Sequence, residues 1–151
     1  MNKYRFEGKG LSIRQPWASA IAFAGKDIEN RPWRTHYRGP LAIHASGGID
    51  REWLHELQRT TRGGQRRPLI DWINIGRRRY GLAAQAEPET SQIVAIAMVV
   101  DCKERSPSPW YAAGQWGWVI SGVIPIVPIR MTGGLSLWDC DFQYQPYRQA
   151  K

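Results

Sequence analysis

The sequence predicts an α+β fold in which a small mixed or antiparallel β-barrel is flanked by a few helices. Three observations lead there. Residues 93–102, IVAIAMVVDC, form a near-continuous apolar, β-branched run of the kind a buried strand needs. Segments 28–33 and 41–46 alternate with the two-residue period of a strand. Among the early segments, WASAIAFAGK alone carries apolar residues at helical spacing, at positions 17, 20, 21 and 24.

In chain order, residues 1–10 are polar and read as a loose N-terminal segment. Residues 12–16 read as a strand end and a turn, and Pro16 suits a helix start. The helix over 17–24 ends at Gly25. In the strand that follows, Ile28, Asn30 and Pro32 face one way and Glu29, Arg31 and Trp33 the other. YRGP makes a turn. LAIHAS is a second strand, with Leu41, Ile43 and Ala45 opposite Ala42, His44 and Ser46. Asp50 suits the N-cap of a helix over 51–60 whose apolar stripe is Trp53, Leu54 and Leu57. TRGGQRRP is a loop, and LIDWINIGRRRYGL predicts a short helix broken near Gly76. QAEPETSQ and SPSPWYAAGQ are loops on either side of the 93–102 strand. WGWVISGVIPIVPI is strand-like, with Pro125 and Pro128 at ends or bulges, and GGLSLWDC is the last strand. One domain is expected over 11–145, with an arginine-rich insertion at about 59–91 and a tail at 146–151.

Charge narrows the function. The 151 residues carry a formal net charge of +8, which favours a polyanionic partner, usually nucleic acid. Sixteen of the 21 cationic residues are arginine, whose planar fork grips phosphate bidentately and stacks on bases. Eight tryptophans add stacking surface, although most belong in the core. Cys102 and Cys140 form no CxxC pair and fit free thiols in a reducing cytoplasm. His36, His44 and His55 lack metal spacing, so no metal or other cofactor is expected. MNKYRFEGKG has no apolar signal core, and no stretch is long enough to span a membrane.

Residues 11–46 crowd Arg14, Gln15, Trp17, Lys26, Glu29, Arg31, Trp33, Arg34 and Tyr37 around a short helix and a strand. That concentration of long polar and aromatic groups suits a pocket for a flat, anionic, hydrogen-bonding ligand such as a nucleotide. Lys26 and Arg31 are candidates for phosphate or a base edge, with Glu29 orienting them or accepting from a base amino group. Gln15 suits a base edge, and Trp17 and Trp33 suit stacking. Tyr37 and Ser46 can donate hydroxyls, and His44 near a lysine could do acid–base work on a 2′-hydroxyl. The opposing reading of the charged set is a purely structural ion cluster that holds helix to sheet. A second basic region holds Arg59, Arg62, Arg66, Arg67, Arg77, Arg78 and Arg79 with Asp71 as its one acid. It predicts a surface that tracks phosphates.

LSIRQPWASAI followed by GKDIENRPWRTHYRGPLAIHAS resembles the ASCH domain family. Gly25, Lys26, Glu29 and Arg31 stand for its GxKxxExR marker, and QWGWVISG and GGLSLWDC are similar to its last strands. The resemblance spans residues 11 to about 141. It implies a PUA-like pseudobarrel with a cleft beside the first helix, and binding of RNA or a modified nucleotide. Some ASCH-like proteins hydrolyse acetylcytidine, others have been proposed as ribonucleases, and the family is also linked to transcriptional coactivation. The hydrolases carry a threonine nucleophile where this chain has Glu29, which cannot supply that hydroxyl. Many members also have a lysine after the HAS segment, where Gly47 stands here. Binding of RNA or a nucleotide is therefore expected first. A metal-independent ribonuclease or modified-nucleoside hydrolase using Lys26 and Glu29 is the alternative, and an interaction module of coactivator type comes third.

Overall fold

The computed structural model describes residues 3–59 and 64–150. Strand β1 (Tyr4–Gln15) leads into helix α1 (Trp17–Phe23), β2 (Ile28–Arg31) and β3 (Gly39–Ile49). One helical turn, α2 (Arg51–Leu54), precedes the hairpin β4 (Leu57–Arg59) and β5 (Arg66–Pro68), which runs straight into α3 (Leu69–Arg78). Three long strands follow: β6 (Gln92–Lys103), β7 (Trp116–Arg130) and β8 (Leu137–Tyr144). The main sheet has the order β2-β7-β6-β3-β1-β8. Among the described residues only β1 and β3 pair in parallel; every other ladder is antiparallel.

The fold is mostly β with few helices, as expected, but the sheet does not close into the expected barrel. β2 and β8 remain its two edges, and a single bridge between Ile126 and Pro146 links β7 to the segment after β8. The 146–151 tail is thus tied in at its start: Tyr147 N–H also donates to the Pro125 carbonyl at 3.0 Å.

Both faces of the central strands are covered. Leu11, Ile13, Leu41, Ile43, Ala45, Val99 and Trp118 pack against Ala18, Ile21 and Ala22 of α1. On the opposite face lie Phe6, Ala42, Ile93, Ile96, Ile126 and Cys140, with Met131, Trp138 and Phe142 against them. Double burial explains why residues 93–97 show no clean alternation.

The local differences from the sequence expectation have identifiable causes. Residues 4–10 are not loose; they pair with β8 from Tyr4↔Tyr144 through Gly10↔Trp138. A facing ion pair between Lys9 and Asp139 and a diagonal one between Arg5 and Asp141 suit these polar residues to an edge ladder. The expected helix at 51–60 lasts one turn, capped by Asp50 accepting from Trp53 N–H, because residues 57–59 pair with 66–68 instead. Of its expected stripe only Leu54 is buried. α3 passes through Gly76 unbroken: the glycine is where α3 meets α1, and a Cβ there would sit 1.8 Å from the Phe23 carbonyl oxygen. β7 takes up Pro125 and Pro128 through register shifts against β6. The supposed insertion at 59–91 contributes packing too, as Leu69 and Ile73 enclose Ala20 and Leu54. No helix among the described residues is long and apolar enough to cross a membrane.

Candidate nucleic-acid interface

A cavity of about 750 Å³ opens between the α1 N-terminus, β2 and the loop at 109–112. That is within the roughly 300–1,000 Å³ of small-ligand sites. Its position follows from how α1 ends. Gly25, at φ +74°, reverses the chain in the left-handed conformation that glycine adopts freely. Lys26 N–H then closes onto the Ala20 carbonyl at 3.2 Å. This aims the Lys26 side chain back at the helix, and β2 begins two residues later.

Lys26, Glu29 and Arg31 form one ion cluster. The Lys26 ammonium donates to the Ile28 carbonyl and to Glu29 Oε1 at 3.4 Å. It also lies 5.7 Å from the centre of the Trp17 ring. Arg31 donates through Nε and Nη2 to Glu29 Oε2 at 3.3 and 3.0 Å, and Nη2 also reaches the Ser12 carbonyl at 2.9 Å. Two cationic side chains thus share one carboxylate. Lys26 is 3% exposed, and its burial lowers its pKa below the usual lysine range although Glu29 pulls the other way. The KxxExR spacing stands as read, whereas Gly25 immediately precedes the lysine and Ala24 occupies the marker's glycine position.

The walls are largely aromatic. Trp17, Trp33, Trp53, Trp110 and Tyr111 all line the space. Trp53, 45% exposed, tilts against Trp17 with ring centres 5.5 Å apart. Arg31 lies 5.9 Å from the Trp33 ring. Arg14 and Ser46 reach the same space. Arg14 is exposed, its guanidinium lies beside Gly48, and it donates to the Ile49 carbonyl at 3.4 Å. No hydrogen bond ties the side chains of Ser46 or Gln58 to another described residue.

Gln15 and Tyr37 do not join them. Gln15 is fully buried; its amide donates to Ser19 Oγ and the Glu89 carbonyl and accepts from Ser19 N–H. It therefore pins the first turn of α1, whose N–H groups have no partner inside the helix, and cannot read a base. The Tyr37 hydroxyl donates to the Pro40 carbonyl at 2.5 Å, closing the turn before β3. His44 is also committed: Nε2–H donates to the Met131 carbonyl at 2.6 Å, which leaves Nδ1 to accept from Ser12 Oγ at 2.9 Å. Gly133 packs over that pair so closely that a Cβ would lie 2.2 Å from Ser12 Oγ. Neither nitrogen is free for acid–base work on a ligand.

Sequence reasoning missed Trp110, Tyr111, Gln58 and Asn30, and placed Trp53 in a helix stripe. Asn30 holds the 109–112 loop in place, donating to the Trp110 carbonyl and accepting from Ala112 N–H, each at 2.9 Å. The signal was available in part: aromatic residues in a proline-rich loop have no strand or helix of their own to pack.

The arginine region divides in two. Arg59 and Arg66 face each other across the β4–β5 hairpin, one rung from Gln58↔Arg67. Arg77, Arg78 and Arg79 lie at the far end of α3, about 15 Å away by helical rise. Arg77 stacks over Phe23 and donates to the Ala83 carbonyl, and burial lowers its pKa. Arg78 and Arg79 are exposed, where cations suit a helix C-terminus. Arg62 lies outside the described residues.

The ASCH domain family model matches residues 11–127. The chain belongs to the ASCH domain family. No curated protein matches it. The match covers α1, the ion cluster and the whole cavity wall, and ends within β7. The edge strand β8 falls outside it.

Proposed function

We propose that this ASCH domain binds RNA or a nucleotide, with the ring of one residue between the tryptophans and its phosphate near Arg14 and the outer edge of Arg31. The observation that supports this most is the combination of Arg14 and Arg31, beside the carboxylate of Glu29, with five aromatic side chains in the cavity walls. Stacking on aromatic rings accepts any base, and arginine supplies the planar fork that phosphate prefers. The family's association with RNA-binding, PUA-like folds points the same way. Binding rather than catalysis is favoured because the groups suited to proton transfer, His44 and Lys26, spend their polar atoms on protein partners.

The test is a tryptophan-fluorescence titration with the four nucleoside 5′-monophosphates, repeated with Arg14→Gln. Arg14 is exposed and supports no core contact, so the variant keeps its melting temperature. Its affinity should fall roughly tenfold, the scale of one charge-assisted hydrogen bond. Equal affinity in the variant, or no binding by the native protein, overturns the reading.

A further inference from the structure

We infer that the cavity takes an unpaired nucleotide from within a single strand, and that the β4–β5 hairpin is the arm that holds the neighbouring phosphates. This rests on the reading of the cavity above and adds to it the class of ligand. Gln58 of β4 is part of the cavity wall, so the hairpin starts where the proposed nucleotide sits. One rung on, Arg59 and Arg66 are directly opposed. Like charges in that position repel and weaken a two-stranded ladder. No carboxylate among the described residues lies within ion-pair distance of Arg59, Arg66 or Arg67. Arg59 and Arg66 are exposed.

Both strands of the hairpin are nonetheless tied to α3. Trp72 of α3 donates its indole N–H to the Gln58 carbonyl at 2.8 Å, and Arg67 stacks 5.7 Å from that indole. Arg67 Nε is buried without a hydrogen-bond partner among the described residues. Two strands that keep repelling cations together beside a cavity suit a polyanion, because phosphates supply the missing counter-charge. A second cationic element leaves the same cavity: Trp33 lines it, and the adjacent Arg34 stacks on Trp116 at 5.6 Å. A free mononucleotide would use neither extension. A base-paired strand could not offer its base to the cavity without unpairing it.

The experiment compares a fluorescein-labelled, non-self-complementary RNA heptamer, the same heptamer annealed to its complement, and the four nucleoside 5′-monophosphates. Each is titrated against the native protein and the R59Q/R66Q variant at several salt concentrations. The single strand should bind at least tenfold more tightly than any monophosphate and more tightly than the duplex. In the variant the log–log salt slope for the single strand should drop by about 1.4, from about 0.7 per phosphate contact on two contacts. Monophosphate affinity should stay the same. An unchanged slope, or a duplex bound as tightly as the strand, overturns the inference while monophosphate binding leaves the cavity reading standing. Failure of every monophosphate to bind overturns both.

Discussion

Replacing Glu29 with glutamine keeps the side-chain shape and removes the one carboxylate shared by two cations. The Lys26 and Glu29 side chains are 3% and 8% exposed, and that of Arg31 is 20% exposed. Removing one partner from a buried ion pair costs about 3–5 kcal/mol, because the charge left behind has lost both water and its counter-ion. At about 2–4 °C per kcal/mol for a domain of this size, the variant should melt roughly 6–20 °C below the native protein. The pH dependence identifies the cause. Lys26 titrates below its ordinary 10.5, with burial outweighing the pull of Glu29. Without Glu29 its pKa falls further. Between the folded and the unfolded pKa the unfolded chain binds more protons, so stability rises with pH across that window. The gap between E29Q and the native protein should therefore narrow as pH rises toward 10.5. Thermal unfolding followed by circular dichroism at neutral and alkaline pH reads both quantities. A loss below about 1 kcal/mol, or a gap that widens with pH, would refute the claim that this carboxylate holds a buried lysine in place.

Gly76→Ala tests the helix contact. Helix propensity alone would make it stabilising by about 1 kcal/mol, but the new Cβ meets the Phe23 backbone, and overpacking of that kind costs about 1–3 kcal/mol; urea denaturation should show net destabilisation. Cys102 and Cys140 are both buried, and burial pushes the Cys140 thiol above its usual range, so a thiol-reactive chromophore should label neither in the native protein and both in denaturant. Purified protein incubated with RNA in chelator should leave it intact on a denaturing gel; cleavage lost in Lys26→Ala would favour the ribonuclease alternative instead.

The cluster was readable because its chemistry is local. Lys26, Glu29 and Arg31 fall within six residues, and a helix end followed by a strand leaves them few arrangements that do not touch. Trp17 and Trp33 were readable for the same reason. Trp53, Gln58, Trp110 and Tyr111 were not, since each comes to the cavity through tertiary packing: Trp53 from the single turn of α2, Gln58 from the hairpin that replaces the rest of the expected helix, the others through a loop pinned by Asn30. Gln15 carried a misleading signal. Its neighbours face the cavity, but strand alternation and the start of α1 turn its amide inward, toward Ser19 and Glu89. The N-terminal strand escaped notice because its polar residues are suited to an edge ladder with β8, a partner more than 125 residues away in sequence. Alternation along single strands says nothing about closure, so an open sheet and a barrel read alike until the edges are located.

A phosphorylated, ring-bearing ligand is proposed to occupy the space beside α1. A crystal structure of the protein with a bound nucleoside monophosphate measures this most directly. Density is expected for the ring against Trp17 or Trp53 and for the phosphate within hydrogen-bonding reach of Arg14 or Arg31. Saturating ligand found elsewhere on the protein, with that space filled only by solvent, would contradict it.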